Sequence, residues 1–306
     1  MRRFGFTMLE LIFVIVILGI IGKFGVEFLA QAYNNFIYAK INNTLQSNSQ
    51  MAVNTIAARL QYRIKDSVIK RRDDNNSFLA IGSSIPAGED QKDYNILEWV
   101  GYDIDGFRGD SLPFWSGIID LNHPDTNSTS LVSPETNTSA VNALISVLRG
   151  SGSSTDFNDT AIYFIGSDSN VNGYGWSVSG HGGFTDQNQT MHPIQSGGTI
   201  NQLIPKAGTT FSGVDVYEYY QLAWTAYAVG ISDWNSTGNG TGTLRLYADY
   251  QPWNGETYQD ANISTIIMNN VSTFQFKSVG SVMKIQVCTK SDLLEEHSLC
   301  KEKTIF

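Results

Sequence analysis

The sequence predicts an α+β protein in which a long N-terminal helix packs on an antiparallel β-sheet head. Two observations favour this class. An apolar run followed by an amphipathic helical pattern fills the first 70 residues, and short apolar runs separated by Gly, Ser, Asn and Asp fill the rest. With 306 residues, the chain is long enough for one large domain or two modest ones. Its net charge of −9 argues against nucleic acid as a direct partner.

The helical pattern predicts one continuous helix from Phe6 to about Val68. Every residue from Leu11 to Gly22 is apolar, and no proline occurs before Pro86. Beyond this run, apolar residues recur every four positions among polar ones, at Ile37, Ile41 and Leu45 and again at Ile56, Leu60, Ile64 and Val68. We therefore expect residues 6–32 to span a membrane, residues 33–70 to be amphipathic, and residues 71–306 to form the head.

The start of the apolar run carries the charges that decide between its possible roles. Arg2 and Arg3 precede the run and no equal basic cluster follows it at once, which places the N-terminus in the cytoplasm and the head outside. Glu10 lies at the edge of the run. An unpaired carboxylate in hydrocarbon costs roughly 2.5–3.5 kcal/mol or more, so Glu10 requires an explanation.

One interpretation is a secretory signal peptide. The chain has a basic start, an apolar core and small residues at Ala30 and Ala32 that suit signal peptidase. Cleavage after Ala32 would release a soluble extracytoplasmic binding protein that begins at Tyr33. This interpretation gives Glu10 no role and does not require the amphipathic pattern that follows.

The other interpretation comes from a motif. The stretch Gly5-Phe6-Thr7-Met8-Leu9-Glu10, followed by Leu11-Ile12 and the long apolar run, resembles the prepilin signal of type IV pilins and type II secretion pseudopilins. The resemblance implies that residues 1–5 are a leader, that a prepilin peptidase cuts between Gly5 and Phe6, and that Phe6 is then N-methylated. It also implies that Glu10 pairs with the N-terminal ammonium of a neighbouring subunit, which removes the cost of burying the carboxylate. In one departure, Glu27 stands where many members carry proline.

The size of the head implies a minor subunit, because major pilins are usually about half this length. Retention of Glu10 favours a J-type pseudopilin or a W-type minor pilin over the K-type tip subunit, which commonly lacks this glutamate. The partners implied are the prepilin peptidase, other pilins or pseudopilins, and inner-membrane lipid. The filament could serve protein secretion, adhesion and motility, or DNA uptake.

In the head, seven apolar runs are predicted to be strands. They cover residues 78–81, 96–102, 161–165, 221–229, 243–250, 272–276 and 282–287. Residues 141–148 read as a short helix, and residues 124–138 and 230–242 read as loops. Five aromatic residues between Tyr217 and Tyr227 indicate a core strand.

The two cysteines, Cys288 and Cys300, lie twelve positions apart near the C-terminus. A disulfide, two free thiols and a partial metal site with His297 are the alternatives. A disulfide is expected outside the cytoplasmic membrane, because that environment is oxidising. Closing a loop of this size contributes about 3 kcal/mol to the stability of the folded protein. The resemblance agrees, because pilins often carry a C-terminal disulfide loop.

Calcium is the one cofactor for which the sequence offers candidates. Asp168, Asn170 and Asn172, followed by Gly173, match the first half of a calcium loop, but the twelfth position is Ser179 instead of glutamate. Asp103, Asp105 and Asp110 form a weaker candidate. The alternative for both is ordinary turn chemistry. We expect no enzymatic activity, because the four histidines are scattered and no nucleophile or phosphate-loop motif occurs.

Ten N-x-[ST] sequons occur, and seven of them have an acidic residue two places earlier, although only 29 of the 306 residues are acidic. D/E-x-N-x-[ST] resembles the acceptor of single-subunit bacterial oligosaccharyltransferases. We therefore expect N-glycosylation at the seven, which are Asn75, Asn127, Asn137, Asn158, Asn188, Asn235 and Asn262. Asn42, Asn239 and Asn270 lack the acidic residue and should be spared. Turn composition alone is the alternative.

Overall fold

The computed structural model describes residues 7–73, 77–167, 169–177, 183–237, 240–291 and 298–306. The chain divides into two compact units, Met1–Asn48 and Ser49–Phe306. The α-helices are α1 (Met8–Leu60), α2 (Ile104–Arg108) and α3 (Thr138–Leu148). The strands are β1 (Ile69–Arg71), β2 (Phe78–Ala80), β3 (Ile96–Gly101), β4 (Leu131–Val132), β5 (Ala161–Phe164), β6 (Met191–Ser196), β7 (Gln202–Pro205), β8 (Tyr220–Ala223), β9 (Thr225–Asn235), β10 (Thr241–Ala248), β11 (Ile263–Val279), β12 (Val282–Lys290) and β13 (Ser298–Ile305). Short 3-10 helices cover Lys65–Ser67, Gln91–Asp93, Phe157–Asp159, Val171–Tyr174, Pro252–Asn254 and Tyr258–Asp260.

The long N-terminal helix and the antiparallel sheets confirm the predicted α+β class. α1 ends at Leu60, however, and not near Val68 as the four-residue spacing indicated. The chain after Leu60 pairs with the end of β3, where the Ile64 amide donates to the Val100 carbonyl at 2.9 Å. Ile64 and Val68 are buried as expected, but both have extended backbone. Pairing with the sheet therefore overrides the helical period.

Within the described residues, the larger sheet has eight antiparallel strands in the order β13-β12-β11-β10-β9-β3-β1-β2. One face of this sheet packs on the last three turns of α1, which contribute Ala52, Val53, Ile56, Ala57 and Leu60 to the core. Leu97 and Trp99 of β3 belong to that core, whereas Ile96 and Val100 point to a second core on the opposite face. β3 is thus buried on both faces, which explains why five of its six residues are apolar and why the sixth, Glu98, is paired inside the protein.

The smaller sheet has the order β4-β7-β6-β5-β8 in the part of the chain that the structure describes. Val141 and Ile145 of α3 pack in one core with Ile162 of β5 and Ile194 of β6. Ala161 of β5 and Met191 of β6 belong instead to the core shared with the larger sheet. Successive side chains of a strand point to opposite faces, so these short strands connect the two cores.

Three sequence predictions for the head need correction. The loop predicted over residues 124–138 contains the short strand β4 and the first residue of α3, Thr138. Within the predicted loop 230–242, residues 230–235 and 241–242 belong to strands, because β9 extends to Asn235 and pairs with β10 from Thr241 onward. The aromatic segment is not a single strand: Tyr220 opens β8 in the smaller sheet, Tyr227 lies on β9 in the larger sheet, and buried Trp224 lies between them. The predicted helix in residues 141–148 is confirmed as part of α3.

Candidate membrane anchor and assembly site

The first turn of α1 is closed by a reciprocal pair of side chains. The backbone amide and the hydroxyl of Thr7 donate to Glu10 Oε2 at 2.9 and 3.0 Å, and the Glu10 amide donates to Thr7 Oγ1 at 3.4 Å. This is a capping box, in which two side chains satisfy amides that have no partner within the helix. Sequence reasoning identified Glu10 but missed Thr7, although T-x-x-E before an apolar run is a readable signal.

The residues after Glu10 present an apolar surface on all sides of the helix. Every large apolar side chain from Met8 to Leu29 is between 45% and 82% exposed. α1 passes without a break through Glu27, at the position where many pilins carry proline, and through Ala30 and Ala32. Lys23 and Glu27 lie one turn apart and are both exposed, with 3.9 Å between Lys23 Nζ and Glu27 Oε1. A helix with such a surface is unstable in water and suits hydrocarbon.

Among the described residues, one helix is long and apolar enough to cross a membrane, judged by length and composition, and it lies near the N-terminus. This is consistent with single-pass membrane anchoring. A comparison of the chain with known protein families, with curated proteins and with solved structures gives no match. The architecture, one long apolar N-terminal helix followed by a β-rich head, is compatible with that of pilin-like proteins.

The end of α1 is fixed inside the head. Arg63, which is 5% exposed, donates from Nη1 to the Leu60 carbonyl at 2.9 Å and from Nη2 to the Ser281 carbonyl at 3.0 Å. A cation at a helix C-terminus also interacts favourably with the helix dipole. Burial lowers the pKa of the Arg63 guanidinium.

The predicted disulfide is confirmed. Cys288 on β12 and Cys300 on β13 are directly opposite each other, with Cα atoms 4.0 Å apart, and they are bonded through sulfur. The bond therefore links the C-terminal edge strand to its neighbour. His297, the third member of the alternative metal site, lies outside the described residues.

The calcium candidates have mixed outcomes. Asp168 lies outside the described residues. Asn170 caps the following 3-10 helix, because its Oδ1 accepts from the Asn172 amide at 3.0 Å, and Asn172 itself is exposed. In the described part of the chain, no group of three or more His, Cys, Asp or Glu side chains could hold a metal ion.

Asp103, from the weaker calcium candidate, is instead the N-cap of α2. Its Oδ1 accepts from the Gly106 amide at 3.1 Å and its Oδ2 accepts from Trp115 Nε1 at 3.2 Å. Burial raises the pKa of this carboxyl group to about 6. Both oxygens therefore have structural partners.

Other buried ionisable groups are also structural. Arg71 of β1 forms an ion pair with Glu98 of β3, both at most 2% exposed, and Tyr250 donates to Glu98 at 3.1 Å. Burial raises the pKa of Glu98, although Arg71 opposes this shift. In the smaller sheet, burial lowers the pKa of His192 to about 4, and His192 Nδ1 donates to the Gln187 carbonyl at 2.7 Å.

The predicted processing and modification sites are only partly described. Gly5 and Phe6 of the cleavage site lie outside the described residues, as do Asn75 and Asn239. Among the other acidic-preceded sequons, Asn137 is half-buried as the N-cap of α3. The remaining five are exposed and lie in loops, in a 3-10 helix or at strand ends: Asn127, Asn158, Asn188, Asn235 and Asn262.

Proposed function

We propose that this chain is a minor pilin or pseudopilin, a structural subunit that joins or primes a type IV pilus-like or type II secretion filament. The observation that carries the proposal is the start of α1, where a single carboxylate lies at the edge of an exposed apolar helix. Glu10 is the one acidic residue between Thr7 and Val26. The proposed role is mechanical and involves no chemistry at a catalytic site.

The energetics of Glu10 favour assembly. Along the described helix, the nearest cationic residue is Lys23, which is thirteen positions or about 20 Å away. Both Thr7 bonds end on Oε2, so Oε1 can accept from the N-terminal ammonium of a neighbouring subunit. Such pairing neutralises the carboxylate in hydrocarbon and aligns the subunits, because it forms only in one register.

The proposed location follows from the same helix. The N-terminus is cytoplasmic, α1 crosses the inner membrane once, and the head lies in the periplasm, where the Cys288–Cys300 disulfide is stable. A prepilin peptidase acts on the cytoplasmic side between Gly5 and Phe6. The proposed partners within the filament are other pilins or pseudopilins.

N-terminal sequencing of the protein from its native membrane tests this proposal. We expect the chain to start at Phe6 and to carry an N-methyl group. A chain that starts at Tyr33 and is found in the soluble extracytoplasmic fraction would contradict the proposal and support a secreted binding protein. The matched control is Gly5→Val, which should block cleavage and leave residues 1–5 attached.

A further inference from the structure

The sequons that have an acidic residue two places before the asparagine differ in how many of their side chains are accessible on the folded head. We propose that the folded head is N-glycosylated at Asn127 and Asn235, and that Asn158 and Asn188 remain unmodified. Glycosylation is a property separate from the filament role. It rests on the proposed function in one respect, because the head must lie in the periplasm. It also narrows the seven candidates that the sequence alone supplies.

Recognition of D/E-x-N-x-[ST] needs three side chains at once. The acceptor amide must reach the sugar donor, the hydroxyl two places later must be contacted, and the acidic residue two places earlier must meet a cationic group. An enzyme can bind this motif in a folded substrate only where the three side chains lie at the surface, because contact with a buried hydroxyl requires local unfolding first. Exposure of the asparagine alone is therefore not sufficient.

Asn158 and Asn188 are exposed, but their hydroxyl residues are not. Thr160 is fully buried and donates to the Phe157 carbonyl at 2.7 Å, and Thr190 is 6% exposed and donates to the Asn170 carbonyl at 3.0 Å. The acidic residues of both motifs also have local structural roles. Asp156 and Asp186 accept from the amides of Asn158 and Asn188 at 2.7 and 3.0 Å. For these two motifs, turn geometry explains the acidic residue.

Asn235 has the opposite surroundings. It ends β9 at the tip of the β9–β10 hairpin, and every residue from Asp233 to Thr237 is exposed. Thr237 Oγ1 donates to Asn235 Oδ1 at 3.2 Å, so the hydroxyl and the amide lie side by side at the surface. Asp233 is 68% exposed, and the Arg245 side chain is 3.6 Å from it.

Asn127 has a similar arrangement in the loop before β4. Asp125, Asn127 and Thr129 are all exposed. Thr129 Oγ1 donates to Asn127 Oδ1 at 2.7 Å, and Asn127 Nδ2 donates to the Asp125 carbonyl at 3.1 Å. These two bonds stay within the five-residue motif. The backbone of the motif is tied to the head, because the Ser128 carbonyl accepts from the amide of buried Phe211 at 2.7 Å, but the three side chains that an enzyme must contact all lie at the surface.

In the two remaining described motifs, the asparagine side chain has a role in the fold. Asn137 is half-buried, and its Oδ1 accepts from the Ala140 amide at 3.0 Å to start α3. Asn262 is exposed, but its Nδ2 donates to the carbonyl of fully buried Asp249 at 3.1 Å. Modification of either asparagine would disturb a bond that fixes the fold, so we place both below Asn127 in occupancy.

The reaction needs a donor of known class, an oligosaccharide linked to a polyprenyl diphosphate. The asparagine Nδ2 forms a bond to C1 of the first sugar, and the bond between C1 and the diphosphate oxygen breaks. The diphosphate leaves with the electron pair, and Nδ2 releases one proton to a base on the transferase. The products are an N-glycosyl asparagine and the lipid diphosphate, so no oxidant or reductant is required.

Glycopeptide mass spectrometry on the full-length protein from its native host tests the proposal, with fragmentation that separates Asn235 from Asn239. We expect occupancy at Asn127 and Asn235 to exceed that at Asn158 and Asn188 by about tenfold or more, as local opening of a buried hydroxyl predicts. Asp233→Asn removes the charge yet tolerates the positive φ of 54° at this position, and it should lower occupancy at Asn235 alone. Thr237→Ala should abolish it.

Three results would overturn the proposal. They are unmodified Asn127 and Asn235, equal occupancy at Asn158 and Asn188, or an Asp233→Asn protein that is glycosylated as well as wild type. The redox state of Cys288 and Cys300 in the same sample shows whether a missing glycan reflects a head that is not in the periplasm. An oxidised pair without glycan contradicts glycosylation only, whereas reduced thiols contradict the periplasmic head.

Discussion

Arg63 donates a hydrogen bond to the carbonyl of Ser281 at 3.0 Å, across 218 residues of sequence. The same guanidinium binds the Leu60 carbonyl at the last turn of α1. One side chain thus ties the end of the long helix to the turn between β11 and β12.

We expect Arg63→Met to destabilise the head by about 1–3 kcal/mol, because the buried Leu60 carbonyl and the Ser281 carbonyl both lose a charged donor. Lys65→Met is the matched control, since Lys65 is an exposed cation two residues further on. Urea unfolding of the detergent-solubilised protein measures both. Equal stability of the two variants would mean that Arg63 does not fix the helix end.

The buried pair of Arg71 and Glu98 should show strong coupling. Removing one partner, as in Glu98→Met or Arg71→Met, leaves a buried charge and should cost about 3–5 kcal/mol. The double variant should lose much less than the sum of the two single losses. A double-mutant cycle on unfolding free energies measures this coupling. Additive losses would contradict it.

His192 should make the head sensitive to acid. Its pKa is lowered to about 4 in the folded state, from about 6.5 in the unfolded chain. Its contribution is therefore fully present above pH 6.5 and is lost as the pH falls toward 4, by about 3 kcal/mol in total. In His192→Asn, an amide can replace the Nδ1 donor to Gln187.

The stability difference between wild type and His192→Asn should shrink over this pH range. The raised pKa of Asp103 has the opposite sign, because a carboxyl with a raised pKa gains stability as the pH falls. Asp103 is present in both proteins, so its effect cancels in the difference. A difference that is constant between pH 7 and pH 4 would contradict the role of His192.

The Cys288–Cys300 bond should be present in the protein taken from the membrane. A thiol count under denaturing, non-reducing conditions should give no reactive thiol, and two after reduction. Replacing both cysteines by serine should lower stability by about 3 kcal/mol, from the loop-closure entropy of the unfolded chain. Two reactive thiols before reduction would refute the oxidised pair in the cell.

The sequence predicted the helix over residues 8–60, with an apolar first half and an amphipathic second half, because local periodicity determines these features. It did not predict the end of α1, since Ile64 and Val68 continue the same spacing. Bonds from Ile64 to Val100 and from Ile81 to Val68, across distant sequence, accompany the extended backbone of both residues. β13 was also missed, because SLCKEKTI has charges on an edge strand that faces solvent on one side. β1 is three residues long and depends entirely on its neighbours.

The candidate site was more readable than the fold around it. Glu10 stands out at the edge of an apolar run, but the capping role of Thr7 was missed, although the same four residues carry the motif. The sequons were equally visible, but the burial of Thr160 and Thr190 was not, because it depends on contacts with distant segments. Sequence motifs therefore supplied candidate positions, and tertiary packing determines which of the candidate sequons have an accessible hydroxyl.

Assembly of Glu10 variants is the central test of the filament role. Glu10→Ala and Glu10→Val should insert and be cleaved normally but fail to enter the filament. Glu10→Gln separates charge from capping, because glutamine also completes a capping box. Thr7→Val is the matched control, since it removes the capping hydroxyl and keeps the carboxylate.

The most direct measurement is the amount of Glu10→Gln protein in isolated filaments relative to wild type, at equal membrane levels. If Glu10 pairs with a neighbouring ammonium, the amount should fall about tenfold or more, because loss of at least 1.4 kcal/mol of pairing free energy is expected. Thr7→Val should remain in the filament. Incorporation of Glu10→Gln at the wild-type level would contradict the assembly role of Glu10.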